Sequence, residues 1–168
     1  GSTYLILYAN TIYPRVEKFL KYLEIRKTKK ITTSHETPYD VILFGFDRVG
    51  NDFIKSFEKL QKNYLVIDFN PQLIKTMEAA SIPFKYGDAE DAEFLHELNL
   101  KETKMFVSTI PDVKTSLLLL KKIRQENPSA IVILLTHEIK TAEELYEKGA
   151  TYVIMPHYLG ARYASNLI

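Results

Sequence analysis

From residue 39 onward, short apolar runs alternate with stretches in which apolar residues recur every third or fourth position. The runs lie at 40–44, 64–68, 83–86, 105–108, 131–135 and 152–155 and predict six strands. Several, such as VILF and IVILL, are apolar at consecutive rather than alternate positions, the pattern of strands covered on both faces. Between them the helical period predicts helices over 48–61, 71–80, 90–97, 113–126 and 138–148. This alternation is the mark of β-α-β units around a parallel sheet. Local signals agree. Asn70 before Pro71, and Asp112 before Val113, place a capping side chain ahead of a first turn. Gly149, tolerant of positive φ, closes the fifth helix. A last apolar segment, 157–168, with Tyr158, Leu159, Tyr163, Leu167 and Ile168, reads as a terminal helix. It either packs back on its own domain or meets a second copy.

The first 38 residues have a different pattern. An amphipathic helix is predicted from Pro14, with Val16, Phe19, Leu20 and Leu23 in one stripe. A polar, Thr-rich linker over 27–38 follows and ends in Pro38. The apolar stretch 2–12 lacks the basic start and small-residue cleavage pattern of a signal peptide. It is also shorter than the ~20 residues that span a bilayer. Tyr4, Tyr8 and Tyr13, followed by Arg26, Lys27, Lys29 and Lys30, nevertheless follow the order found at the cytosolic edge of a membrane helix. The organisation expected is a helix and linker over 1–38 and one domain over 39–168.

Composition narrows the functional classes. Apolar residues make up 46% and charged residues 26% of 168, as in a globular domain. Lys and Arg total 22 against 21 Asp and Glu, so no field of one sign recruits nucleic acid. With no cysteine, disulfides, thiolate nucleophiles and thiolate metal sites are all excluded. His35, His96, His137 and His157 are scattered without metal-ligand spacing and are expected in ordinary surface or capping roles. The acids Asp88, Glu90, Asp91 and Glu93 lack the alternation and glycine of a calcium loop and suit the positive end of a helix dipole. No metal site and no catalytic group are expected.

The first strand ends in Gly45-Phe46-Asp47-Arg48-Val49-Gly50, the slot that a dinucleotide-binding fold fills with G-x-G-x-x-G. Asp68 ends the next strand 23 residues after Gly45, where a carboxylate holding ribose hydroxyls is expected. Gly45 supplies the tight turn and Gly50 the close packing of helix on strand. The middle glycine, whose bare backbone admits a pyrophosphate, is Asp47. Its bulk and charge weaken close pyrophosphate contact, and the Arg48 guanidinium offsets part of that. Alternatively Asp47 is an N-cap, and Asp68 a strand-end acid that caps the next helix, although Asn70 is better placed for that. The fold expected is α/β: a Rossmann-like, doubly wound, parallel six-stranded sheet with helices on both faces, preceded by an N-terminal helix.

The strand-turn VILFGFDRVG, VIDFN at the second strand, YGDAED after the third, VSTIPD after the fourth and YVIMP after the sixth stand in register. Together they resemble the regulator-of-potassium-conductance N-terminal domains, also called TrkA-N domains. The resemblance implies that Gly45, Arg48 and Gly50, with Phe46, Asp47 and Val49 between them, surround phosphates. It implies that Asp68, with Phe69 beside it, holds the adenosine ribose, that Asp88 and Ala89 border adenine, and that Thr109 lies near a phosphate or second ribose. The ligand implied is an adenine nucleotide: AMP, ATP or NAD(H). The N-terminal stretch is similar to the junction of Kef-like monovalent cation:proton antiporters, which implies a covalently attached membrane transport domain and the cytoplasmic face of the cell membrane; a homodimer is expected as well. The expected function is regulation of potassium or other monovalent cation transport, without enzymatic activity. The alternatives are a dimerisation platform with a degenerate site and a small NAD-dependent oxidoreductase. The last would need substrate-positioning groups, for which one helix after the sixth strand leaves little room.

Overall fold

The computed structural model describes residues 38–156. The helix and linker expected over 1–38, apart from residue 38, and the terminal helix expected over 157–168 lie outside the described residues. Six strands, β1 (Val41–Phe44), β2 (Tyr64–Asp68), β3 (Phe84–Tyr86), β4 (Met105–Ser108), β5 (Ile131–Leu135) and β6 (Tyr152–Ile154), form one sheet in the order β3-β2-β1-β4-β5-β6. All neighbours are parallel. Five helices connect them: α1 (Arg48–Lys59), α2 (Pro71–Ala79), α3 (Ala92–Glu97), α4 (Val113–Glu126) and α5 (Ile139–Glu147). The expected doubly wound α/β fold is the one observed.

The continuous apolar runs explain the layering. In β1, Val41 and Leu43 face one core with Ile54 and Phe57 of α1 and Met77 of α2, while Ile42 and Phe44 face another with Leu95, Leu119, Leu120 and Leu145 of α3, α4 and α5. All four β1 residues are at most 3% exposed, so β1 needs apolar side chains in both directions. Burying side chains of this size contributes roughly 1.5–3 kcal/mol each.

Helix boundaries follow local chemistry. α1 stops at Lys59 rather than 61, because the chain leaves it through Gln61 at a φ of +52°, and Ser81 at +56° does the same after α2. α3 starts at Ala92 rather than 90. The Asp91 carboxylate accepts from the Glu93 and Phe94 N–H groups and is the cap, while Asp88 accepts from Glu90 N in a separate turn. The caps expected at Asn70 and Asp112 are both made. Because the strand order reverses between β1 and β4, the connections from these two strands diverge and open a crevice at their carboxyl ends.

Candidate functional site

The site grows from the turn that ends β1. Gly45 has a φ of +93°, and a Cβ there would stand 2.6 Å from Thr109 Oγ1 on the adjacent strand end. Only glycine suits both conditions. The Gly45 N–H reaches Ile67 O at 2.9 Å and the Thr109 N–H reaches Phe44 O at 2.9 Å, which ties the turn to β2 and β4. Buried Thr109 also donates its hydroxyl to Gly45 O at 3.2 Å. Phe46 sends its ring into the core beneath α1, so it meets the crevice through its backbone only. A Cβ at Gly50 would run into Gly45 O, so this glycine sets how closely α1 approaches β1.

Asp47 is the N-cap of α1: its Oδ1 accepts from Gly50 N at 2.7 Å. The Asn51 N–H is bonded to Asp47 O at 2.9 Å. The N–H groups of Arg48 and Val49 have no acceptor among the described residues, and the Arg48 guanidinium has no partner there. The first turn of α1 therefore offers two amides, one cation and the positive end of the helix dipole beside one fixed carboxylate.

Asp68 links the turn to β2. Its Oδ2 accepts from Phe46 N at 2.8 Å and its Oδ1 from Asn70 N at 2.8 Å. Asn70, not Asp68, caps α2, through Gln72 N. Each Asp68 oxygen retains a lone pair for a further donor. Beside it Phe69 is 59% exposed. The β2–β3 register pairs Asp68 with Tyr86, and the Gly87 N–H reaches Asp68 O at 3.2 Å, which brings Asp88 to the same sheet edge. Ala89 is buried in the core, so its side chain is not open to the crevice. The loop carrying these residues is tied to α4: Glu90 accepts from the Thr115 hydroxyl at 2.7 Å and from Lys114 Nζ at 3.2 Å. The Thr115 hydroxyl, then Lys114, hold the Glu90 carboxyl below its ordinary range. The Thr115 backbone N–H does the same for Asp112, whose Oδ2 also lies 2.9 Å from that hydroxyl, so the two carboxylates share its one proton.

A cavity of about 320 Å³ lies at the switch point, floored by Asp47, Arg48, Val49 and Thr109. Pro111, Leu135, His137 and Pro156 complete it from the ends of β4, β5 and β6. Of the predicted site residues, the structure thus gathers Asp47, Arg48, Val49 and Thr109 around one cavity, with Gly45 and Gly50 shaping its edge. Asp68, Phe69, Asp88 and Ala89 stand on the other side of β1, over β2 and β3. Reading the sequence missed the Leu135 and His137 walls, because nothing local marks them and the strand order alone brings them to α1. Among the described residues, no group of three or more His, Asp or Glu could hold a metal ion, and no helix is long and apolar enough to cross a membrane.

The family model described as TrkA-N domain matches residues 41–156, which include every strand and the whole glycine turn. The chain belongs to the TrkA-N domain family. A putative K(+) efflux antiporter KefB from Alkalimonas amylolytica is 28% identical over 120 residues, 71% of this chain and 18% of that protein. Potassium channel protein 1 from Methanocaldococcus jannaschii is 21% identical over 144 residues, 84% of this chain and 43% of its own length. The chain thus spans less than half of either relative. Among solved structures, the TrkA-N domain of the inner membrane protein ybaL from Escherichia coli has a TM-score of 0.73 at 21% identity, covering 79% of this chain and 98% of that one. The GsuK channel bound to NAD has a TM-score of 0.67 at 21% identity, covering 90% and 28%. The Shewanella denitrificans Kef CTD in AMP bound form has a TM-score of 0.62 at 18% identity, covering 72% and 73%. At these identities the structures establish the fold.

Proposed function

We propose that this TrkA-N domain binds an adenine nucleotide at the β1–β4 switch point and regulates an attached potassium or other monovalent cation transport domain. The observation that carries this is the convergence, on one cavity, of the open Arg48 and Val49 amides, the uncommitted Arg48 guanidinium and the Gly45 turn. A side chain at position 45 would fill the turn, and none is present. These residues fit a phosphate group, and Asp68, with a lone pair left on each oxygen, fits a ribose diol. NAD in the GsuK channel and AMP in the Kef domain support an adenine nucleotide as the ligand class.

In this reading the ligand is sensed and not converted. A nucleotide bridging the turn and Asp68 favours one arrangement of paired domains, and the linker at 27–38 passes that preference to a membrane-embedded partner segment. A homodimer at the cytoplasmic face of the membrane is the assembly this mechanism needs. The second reading is a dimerisation platform, favoured by the Asp47 carboxylate already bound to Gly50 N, where a ligand anion would otherwise sit. Titration with AMP, ATP, NAD and NADH, by calorimetry and melting temperature, separates the two. A true ligand at 100 times its Kd stabilises by about 2.7 kcal/mol. No stabilisation by any of the four leaves the platform.

A further inference from the structure

We infer that Asp47 makes this crevice a one-phosphate site, selective for a nucleoside monophosphate over a dinucleotide. The inference rests on the nucleotide reading above and concerns which ligand that site admits. Of the first-turn amides of α1, Asn51 N is bonded to Asp47 O and Gly50 N to Asp47 Oδ1. Only the Arg48 and Val49 amides and the Arg48 guanidinium remain, donors enough for one phosphate. A glycine at 47 would release Gly50 N and remove one negative charge from the seat.

Tethering decides which ligand suffers. The phosphate of a mononucleotide is a free end that can rotate about its ester bonds toward Arg48, away from the Asp47 carboxylate. The pyrophosphate of a dinucleotide is anchored on both sides, by a ribose at Asp68 and by its second half in the cavity walled by Leu135 and His137. It must cross residue 47, where it meets both a side chain and a like charge at the exposed rim of the crevice. One unfavourable charge contact of this kind is worth about a factor of ten in affinity.

Calorimetric titration of the protein with AMP and NAD, and of its Asp47→Asn and Asp47→Gly variants, tests this. Asparagine caps a helix as well as aspartate and glycine nearly so, so both variants keep α1. The native protein is expected to bind AMP at least about tenfold more tightly than NAD. Asp47→Asn, which removes charge but not bulk, narrows the gap. Asp47→Gly brings the two ligands within about threefold, chiefly by tightening NAD. Native protein that binds NAD as tightly as AMP, or a preference unchanged in Asp47→Gly, overturns the inference. Failure of both ligands to bind all three proteins overturns the nucleotide site itself.

Discussion

Replacing Asp68 with alanine removes two backbone contacts of different worth. The bond from Phe46 N spans 22 positions, is partly buried and connects the β1 turn to the end of β2, whereas the bond from Asn70 N is local and exposed. Water replaces the second at small cost. The first is charge-assisted, and its loss leaves an amide without an acceptor beneath α1, so about 2 kcal/mol of stability is at stake. For a domain of this size that corresponds to a fall of roughly 8 °C in Tm. Asp68→Asn keeps one oxygen able to accept from Phe46 N and is expected to lose about 1 kcal/mol or less. Urea unfolding followed by circular dichroism measures both. An Asp68→Ala protein within 0.5 kcal/mol of the parent refutes the claim that this carboxylate pins the turn. Because Asp68→Asn stays folded, its nucleotide affinity isolates the ribose contact. A loss of about tenfold is expected, and an unchanged Kd removes Asp68 from the binding site.

Gly45→Ala is expected to cost about 2–4 kcal/mol, from positive φ and from the approach of its Cβ to Thr109 Oγ1. Combining it with Thr109→Ala in a denaturation cycle should recover about 1 kcal/mol, and strict additivity would discount the steric part. Thr115→Val should raise the Glu90 pKa toward its ordinary value and raise Asp112 less, since the backbone bond to Asp112 remains. Both carboxyls are lowered by their partners, so the stability they contribute is present above their ordinary values and lost as pH falls through their lower folded values. The variant should therefore lose less on acidification; carboxyl shifts followed by NMR check this, and an unmoved Glu90 rules it out. Burial, then the bond to Glu58, push the Tyr64 hydroxyl up to about 12, so its contribution is lost as pH rises from about 10 through 12. Ultraviolet titration that shows Tyr64 ionising near 10 contradicts this.

The sheet was legible because each strand announces itself locally. β1 and β5 are apolar on both faces, and Pro71, Asn70 and Asp112 punctuate the helices where the structure places them. The crevice was legible through Gly45, Gly50 and Asp68, whose spacing follows from a strand, a turn, a helix and the next strand. Phe46 shows where reading a motif residue by residue stops: a turn position in the fingerprint, it sends its ring into the core. Asp68 reads as a ribose ligand in sequence, yet its bond to Phe46 N is a long-range contact that no local pattern encodes. His137 and Leu135 join the cavity because β5 lies two strands from β1, a fact of sheet order. Asp47 was ambiguous between cap and ligand neighbour; the 2.7 Å bond to Gly50 N shows that it is a cap, at the end of α1 where the proposed phosphate would sit.

The central claim is that the crevice above β1 receives an adenine nucleotide. Amide chemical shifts recorded while AMP is added test it residue by residue. The account predicts saturable changes at Arg48, Val49 and Gly50, with smaller ones at Phe69, Asp88 and Thr109. Spectra that do not change, or changes confined to Lys121 and Lys148 in the groove between α4 and α5, would contradict it.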